Sequence, residues 1–125
     1  MKKETILLVD DDEAVLSILA RHLMEYYQVL VATNGIDAVY SYEHNMETIV
    51  AIVTDLEMPR LDGAGLAEWV HHVNPRMPII IMSGSLIDGR ISELLQRPGI
   101  CFLAKPFLPA QLEEMLNNFG VISVN

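Results

Sequence analysis

The sequence predicts an α/β fold: a five-stranded parallel sheet, doubly wound in (βα)5 order, with helices on both faces as a three-layer α/β/α sandwich. Three observations carry this. Short apolar, β-branched runs alternate five times with segments whose apolar residues recur at helical spacing. The runs are apolar through their length, as strands buried on both faces require. Asn34-Gly35, Asn74-Pro75 and Arg97-Pro98-Gly99 punctuate the order at turns and helix stops.

Thr5 to Val9 reads as the first strand, ending at Asp10-Asp11-Asp12. Asp12 or Asp11 can cap the helix that follows, and Glu13 suits its first turn, where the helix dipole favours a carboxylate. Ala14, Val15, Ile18, Leu19, His22 and Leu23 carry its helical spacing up to Tyr26. Gln28 to Ala32 is the second strand, Thr33-Asn34-Gly35 a turn, and Ile36, Ala38, Val39, Tyr42 and Met46 mark the second helix. The third strand runs from Ile49 and stops at Asp55, before Leu56-Glu57-Met58-Pro59.

Pro59 to Gly63 is expected as a loop and Leu66 to Val73 as a helix with Trp69 and Val70 inward, closed by Asn74-Pro75. Pro78 to Met82 is the fourth strand, ending at Ser83-Gly84. Ser85 to Gln96 reads as a less regular helix interrupted by Gly89, because an interior glycine costs about 1 kcal/mol relative to alanine. Ile100 to Ala104 is the fifth strand, ending at Lys105-Pro106. Pro109 fits the first turn of a last helix striped by Leu112, Met115, Leu116 and Phe119. With no linker or repeat, residues 1–125 are expected to form one domain without an output domain.

The net charge of −9, from 17 acidic and 8 basic residues, argues against direct nucleic-acid and anionic-membrane binding. Arg60, Arg76, Arg90 and Arg97 are scattered among acids and form no basic run. No apolar stretch approaches the roughly 20 residues of a membrane span. No cleavage-site pattern follows the first residues, so a cytoplasmic protein is expected. The lone Cys101 leaves no internal disulfide and reads as a buried structural thiol. His22, His44, His71 and His72 lack metal-like spacing and read as helix-surface or partly buried residues.

In open parallel sheets, sites form at the carboxyl ends of strands near the point where strand order reverses. That rule lets Asp10, Asp11, Asp55, Ser83 and Lys105 converge. Each has a plainer alternative: helix caps for Asp10 and Asp11, turn residues for Asp55 and Ser83, a surface lysine for Lys105. Three converging carboxylates repel strongly and need a compensating charge, which a hard divalent ion supplies. Magnesium suits carboxylates, a carbonyl, waters and a phosphoryl oxygen, and Lys105 and Ser83 add donors for further phosphoryl oxygens. These are the parts of a phosphoryl-transfer site.

Four motifs in order, Ile6-Leu7-Leu8-Val9-Asp10-Asp11-Asp12, Thr54-Asp55-Leu56-Glu57-Met58-Pro59 with Leu61-Asp62-Gly63, Ile81-Met82-Ser83-Gly84, and Phe102-Leu103-Ala104-Lys105-Pro106-Phe107, make the chain resemble response-regulator receiver domains. The resemblance implies a flavodoxin-like fold and two-component phosphorelay signalling, with Asp55 phosphorylated by a histidine kinase or histidine phosphotransfer protein. It further implies Mg2+ held by Asp11, Asp10, Asp55 and the main-chain carbonyl of Glu57, with Asp11 a direct ligand and Asp10 acting through a water or through the groups that touch the ion. Ser83 would be the switching hydroxyl, Phe102 the aromatic switch and Lys105 the phosphoryl clamp, with a cis peptide before Pro106. Glu57 and Ser85 would flank the attacking water that limits phosphoryl lifetime. The protein would be a self-phosphorylating and self-dephosphorylating acceptor and not an enzyme with an external substrate. A homodimer or effector face on the fourth helix, fifth strand and fifth helix would include Ile87, Ile91, Leu94, Met115 and Leu116.

The motif flavour is similar to receivers attached to hybrid sensor kinases, with a stand-alone regulator the alternative. Gly84 and Gly89 are expected to loosen the segment after Ser83. Two other functions compete. A haloacid-dehalogenase-type magnesium phosphatase would use the Asp-x-Asp of Asp10-Asp11-Asp12, Met82-Ser83 and Lys105, although Ala14 replaces its usual Thr or Val and the chain is short. A receiver-like interaction module would never carry phosphate, and an unused cluster of buried carboxylates argues against it.

Overall fold

The structure, a computed structural model, describes residues 4–84 and 89–119. Strands β1 (Thr5–Val9), β2 (Gln28–Ala32), β3 (Ile49–Asp55), β4 (Ile79–Ser83) and β5 (Ile100–Ala104) form one parallel sheet in the order β2-β1-β3-β4-β5. Helices α1 (Glu13–Leu23), α2 (Gly35–His44), α3 (Gly63–Val73), α4 (Gly89–Leu94) and α5 (Pro109–Asn118) alternate with them. After β1 the chain moves outward to β2, and after β3 it moves the other way, so the strand order reverses between β1 and β3 and opens a crevice at their carboxyl ends.

Two apolar clusters define the layers. On one face, Leu16, Leu19 and Leu23 of α1 and Leu112 and Leu116 of α5 cover Ile6, Leu8, Val53, Ile80, Met82 and Leu103. On the other, α2, α3 and α4 cover Leu7, Val9, Ile52, Ile79, Ile81 and Ile100. Successive strand residues point to opposite faces, so a sheet covered on both sides needs apolar residues at every position. Each such side chain contributes about 1.5–3 kcal/mol when fully buried, and Ile6 to Val9 and Ile79 to Met82 are 0% exposed. The central strands are therefore the rigid base on which the site stands.

β3 contains one irregularity of consequence. Thr5 pairs with Ile49 but Ile6 pairs with Ala51, so Val50 is an extra residue bulged out of register. Ile49 packs into the cluster under α2 to α4, whereas Val50 and Ala51 both pack toward α1 and α5. The bulge inverts the alternation from Ala51 onward and sends Val53 and Asp55 to the α1/α5 face.

Several helix bounds differ from expectation. α1 stops at Leu23, where the Met24 N–H closes on the Ala20 carbonyl, and Tyr26 lies beyond it in a turn. Its buried stripe is Leu16, Leu19 and Leu23, while Ile18 is 61% exposed. At about 100° per residue, Ile18 stands on the far side of the helix from Leu16. α2 ends at His44, leaving Met46 exposed in the following turn. α3 begins at Gly63 instead of Leu66, because the Asp62 carboxylate caps it by accepting the Gly65 N–H. Gly89 stands at the first described position of α4 and does not interrupt the described helix, while Ser85 and Ile87 lie outside the described residues. Trp69 is half-buried, edge-on to Tyr42 with ring centroids 5.9 Å apart. Cys101 is half-buried, and burial raises its thiol pKa. Buried His71 bonds the Met77 carbonyl oxygen at 2.9 Å, His22 bonds Glu113, and His44 and His72 are exposed.

The glycines separate tight from open sites. A Cβ on Gly35 would fall 2.1 Å from the Leu61 carbonyl oxygen, whereas one on Gly89 meets nothing within 4 Å. Gly35→Ala should cost about 1–3 kcal/mol by overpacking against backbone. Gly89→Ala should gain up to about 1 kcal/mol from helix propensity. Urea unfolding midpoints of the two variants should move in opposite directions.

Candidate functional site

The crevice where strand order reverses holds the predicted acids. In the alternation along β1, Asp10 follows Ile6 and Leu8; along β3, Asp55 follows Ala51 and Val53; beyond β5, Lys105 follows Leu103. All three thus project on the α1/α5 side of the sheet. Lys105 Nζ donates to Asp55 Oδ1 at 3.1 Å and to Asp10 Oδ2 at 3.4 Å. The Asp12 N–H donates to Asp10 Oδ1 at 2.9 Å. One oxygen from each of Asp10, Asp11 and Asp55 lies within 4.8 Å of the others. Asp10 and Asp55 are buried, at 1% and 7% exposed, while Asp11 stands exposed at the rim. Asp12 caps α1 by accepting the Ala14 and Val15 N–H groups, which leaves Asp10 and Asp11 free of that duty.

The backbone under Asp55 is tightly held. The Thr54 hydroxyl donates to the Asp55 carbonyl oxygen at 2.9 Å, and the Gly63 N–H donates to the Leu56 carbonyl at 2.8 Å. A Cβ on Gly63 would fall 2.3 Å from the Asp55 carbonyl oxygen, so only glycine lets α3 begin this close to the strand end. Glu57 follows in the loop with its side chain exposed. Arg60, after Pro59, has φ 71°, a left-handed conformation that a non-glycine residue adopts only when its surroundings impose it.

Ser83 is 2% exposed at the carboxyl end of β4, one residue past Met82, the register partner of Asp55. It alternates with Ile79 and Ile81, and half-buried Phe102 alternates with Ile100, so both belong to the face beneath α2 to α4. The Lys105–Pro106 peptide is cis. The structure thus brings Asp10, Asp11, Asp55 and Lys105 together on one face and sets Ser83 and Phe102 on the other. Ser85 lies outside the described residues. Of the residues assigned to a partner face, Ile91, Leu94 and Leu116 are at most 2% exposed and belong to the core, Met115 is half-buried, and Ile87 is outside the described residues.

Burial pushes the Asp55 carboxyl pKa upward, helped by the negative charges of Asp10 and Asp11 and opposed by Lys105. Burial likewise raises Asp10, against the lowering effects of the Asp12 N–H and Lys105. Burial alone would lower Lys105, but its bond to Asp55 and the charge of Asp10 outweigh it, and the net direction is upward. Three carboxylates face one ammonium, so the ionised cluster retains an excess of two negative charges. An oxygen-only donor set with that excess fits a hard divalent cation, and Asp10, Asp11 and Asp55 are the residues that would hold it.

The model of the response regulator receiver domain matches residues 6–117. The chain belongs to this family. It is 33% identical over 113 residues to the transcription factor SKN7 of Candida albicans, a match covering 90% of this receiver and 20% of that protein. The receiver of the hybrid histidine kinase CckA is 31% identical with a TM-score of 0.77, over 92% of this chain and 97% of that one. The receiver of the sensor histidine kinase PA1611 of Pseudomonas aeruginosa, solved with magnesium coordinated in its active site cleft, is 30% identical with a TM-score of 0.80, over 94% and 97%. The fold and the two-component signalling class expected from the motifs agree with these matches. Thr54 and Asp62, which hold the backbone on either side of Asp55, fall within the motif around Asp55, but the sequence does not assign their roles, because a backbone-bonding hydroxyl and a helix cap depend on the folded geometry.

The raised carboxyl pKa values fix a sign. Ionised Asp55 destabilises the folded receiver relative to its neutral form; this penalty is absent below the ordinary carboxylate pKa of 3.8 and complete above the higher folded value. Asp55→Asn should therefore stabilise the metal-free receiver at pH 7. The gain should shrink as pH falls toward 3.8, as measured by urea unfolding across that range.

Proposed function

We propose that Asp55 accepts a phosphoryl group from a histidine kinase or histidine phosphotransfer protein and later loses it to water. What carries this reading is the lysine bridge: Lys105 Nζ lies 3.1 Å from Asp55 Oδ1 and 3.4 Å from Asp10 Oδ2, beside exposed Asp11. With Oδ1 held by the ammonium, Oδ2 is the attacking atom. The P–N bond of the donor phosphohistidine breaks as the P–O bond to Asp55 forms, and the imidazole leaves with the electron pair. Lys105 then exchanges a carboxylate partner for a phosphoryl oxygen and holds it in line. Magnesium, bound by Asp10, Asp11, Asp55 and the Glu57 carbonyl, would neutralise the carboxylates and orient a phosphoryl oxygen. The receiver is thus an acceptor that promotes its own phosphorylation and dephosphorylation and turns over no external substrate.

The donor must reach Asp55 from the open rim. An apolar groove of about 480 Å³ lined by Val15, Ile18, Leu19, Pro106, Phe107 and Pro109 reaches Lys105, and Ile18 in its lining is 61% exposed. We assign it as the seat of the donor protein, with apolar area supplying affinity and the acids supplying the reaction. On the opposite face of the sheet, Ser83 and Phe102 would move toward the phosphoryl group and carry its presence to α4, β5 and α5 as a population shift.

Incubation with acetyl phosphate and Mg2+, borohydride trapping and peptide mass spectrometry should mark Asp55, and Asp55→Asn should abolish the mark. A mark on Asp10 would instead support the phosphatase reading, although the Asp12 N–H and Lys105 already engage both Asp10 oxygens. Asp11→Asn should raise the Mg2+ concentration needed for half-maximal labelling by about tenfold or more. Ile18→Glu should slow transfer from a phosphorylated histidine kinase while leaving labelling by acetyl phosphate unchanged.

A further inference from the structure

The described part of α4 has two fully buried anchors, Ile91 and Leu94, and its Gly89 faces open space. Arg90 ties it by polar contacts to α3 and its cap. The guanidinium forks onto Asp62, with Nη1 3.2 Å from Oδ2 and Nη2 3.5 Å from Oδ1, and its Nε donates to Glu68 Oε1 at 3.3 Å. Asp62 is no ordinary surface acid. Its Oδ1 also accepts the Gly65 N–H at 2.8 Å and so caps α3, and the next residue, Gly63, is pressed on the Asp55 carbonyl and bonded to Leu56.

We infer that Arg90 is a positioning residue that ties α4 to the Asp55 loop through the α3 cap, a second route between site and helix that bypasses Ser83 and Phe102. The direction of the coupling rests on the phosphoacceptor reading above. Anything that draws the Glu57 carbonyl or the Asp55 backbone toward an occupied site also draws on residues 56–63, and Asp62 transmits that displacement to Arg90. In reverse, the position of α4 biases the loop. Isolated exposed ion pairs are worth little, but a two-pronged arginine shared between a helix cap and a second acid has defined geometry. Coupling is reciprocal, so releasing Arg90 must alter both α4 and the affinity of the site.

The test uses the full chain, with Mg2+ plus beryllofluoride as a phosphoryl mimic. Binding is followed by Trp69 fluorescence, and amide hydrogen exchange is followed over residues 56–66 and 89–96. Arg90→Met should speed exchange in both segments of the unliganded protein and shift the half-saturating beryllofluoride concentration by about fivefold. Arg90→Lys should recover part of both effects. Asp62→Asn keeps a good cap and removes the charge, so it should reproduce the shift, and combining it with Arg90→Met should add nothing further. Faster exchange confined to 89–96 with an unchanged beryllofluoride response overturns the inference, because Arg90 then only braces α4. Additive effects of Arg90→Met and Asp62→Asn overturn it as well. A wild-type protein that shows no response to Mg2+ and beryllofluoride overturns the phosphoacceptor reading itself, a result distinct from a wild-type response that Arg90→Met leaves unchanged.

Discussion

Like-charge repulsion at the carboxyl ends of β1 and β3 is the constraint on which the rest of this receiver depends. Asp10 and Asp55 are nearly buried, Asp11 stands beside them, and a single ammonium from Lys105 spans the two buried groups. Burial raises both carboxyl pKa values, which means that the folded state holds these charges at an energetic cost. A cluster that opposes folding persists only where the surrounding structure over-determines it. The apolar strands supply that determination, since residues from Ile6 to Val9 and from Ile79 to Met82 are fully buried on both faces.

The same repulsion would make the site responsive in the proposed cycle. A divalent cation would offset the excess charge, and Lys105 would turn from a carboxylate to a phosphoryl oxygen, so occupancy would change the energy of the loop from Leu56 to Gly63. That loop has little slack. Gly35 and Gly63 bring the starts of α2 and α3 against the Leu61 and Asp55 carbonyls, and Arg60 holds a left-handed conformation within it. A loop packed this closely passes a small displacement to its neighbours because it has few ways to absorb it. Asp62, which caps α3 and grips Arg90 of α4, stands at its exit.

The division of labour between the two sheet faces also bears on partners. Asp10, Asp55 and Lys105 project on the side of α1 and α5, beside the apolar groove formed by Val15, Ile18 and Phe107. Ser83 and Phe102 belong to the side of α2, α3 and α4. The acid cluster and the Ser83–Phe102 pair therefore lie on opposite sides of one strand layer, and in the proposed cycle a donor would approach one face while the other changes.

Much of this was legible from residue order. Uniformly apolar runs specify a sheet covered on both faces, and Asp10, Asp11, Asp55, Ser83 and Lys105 stand at strand ends because a carboxylate, hydroxyl or ammonium inside such a run would lose its solvation. Local pattern could not decide features that depend on distant partners. The helical spacing of α1 accommodates either Ile18 or Leu16 as an inward residue, and only packing against β1 and α5 selects Leu16. Ile91, Leu94 and Leu116 look like surface candidates until α4 and α5 are laid on the sheet. The cap at Asp62 and its grip on Arg90 join residues from different elements, which periodicity does not relate. The sequence by itself placed Asp10, Asp11, Asp55, Ser83 and Lys105 at strand ends on one edge of the sheet. The bulge at Val50, set by how β3 registers against β1, decided that Asp55 faces the same side as Asp10 and Lys105, because strand alternation has a period of two and one extra residue reverses it.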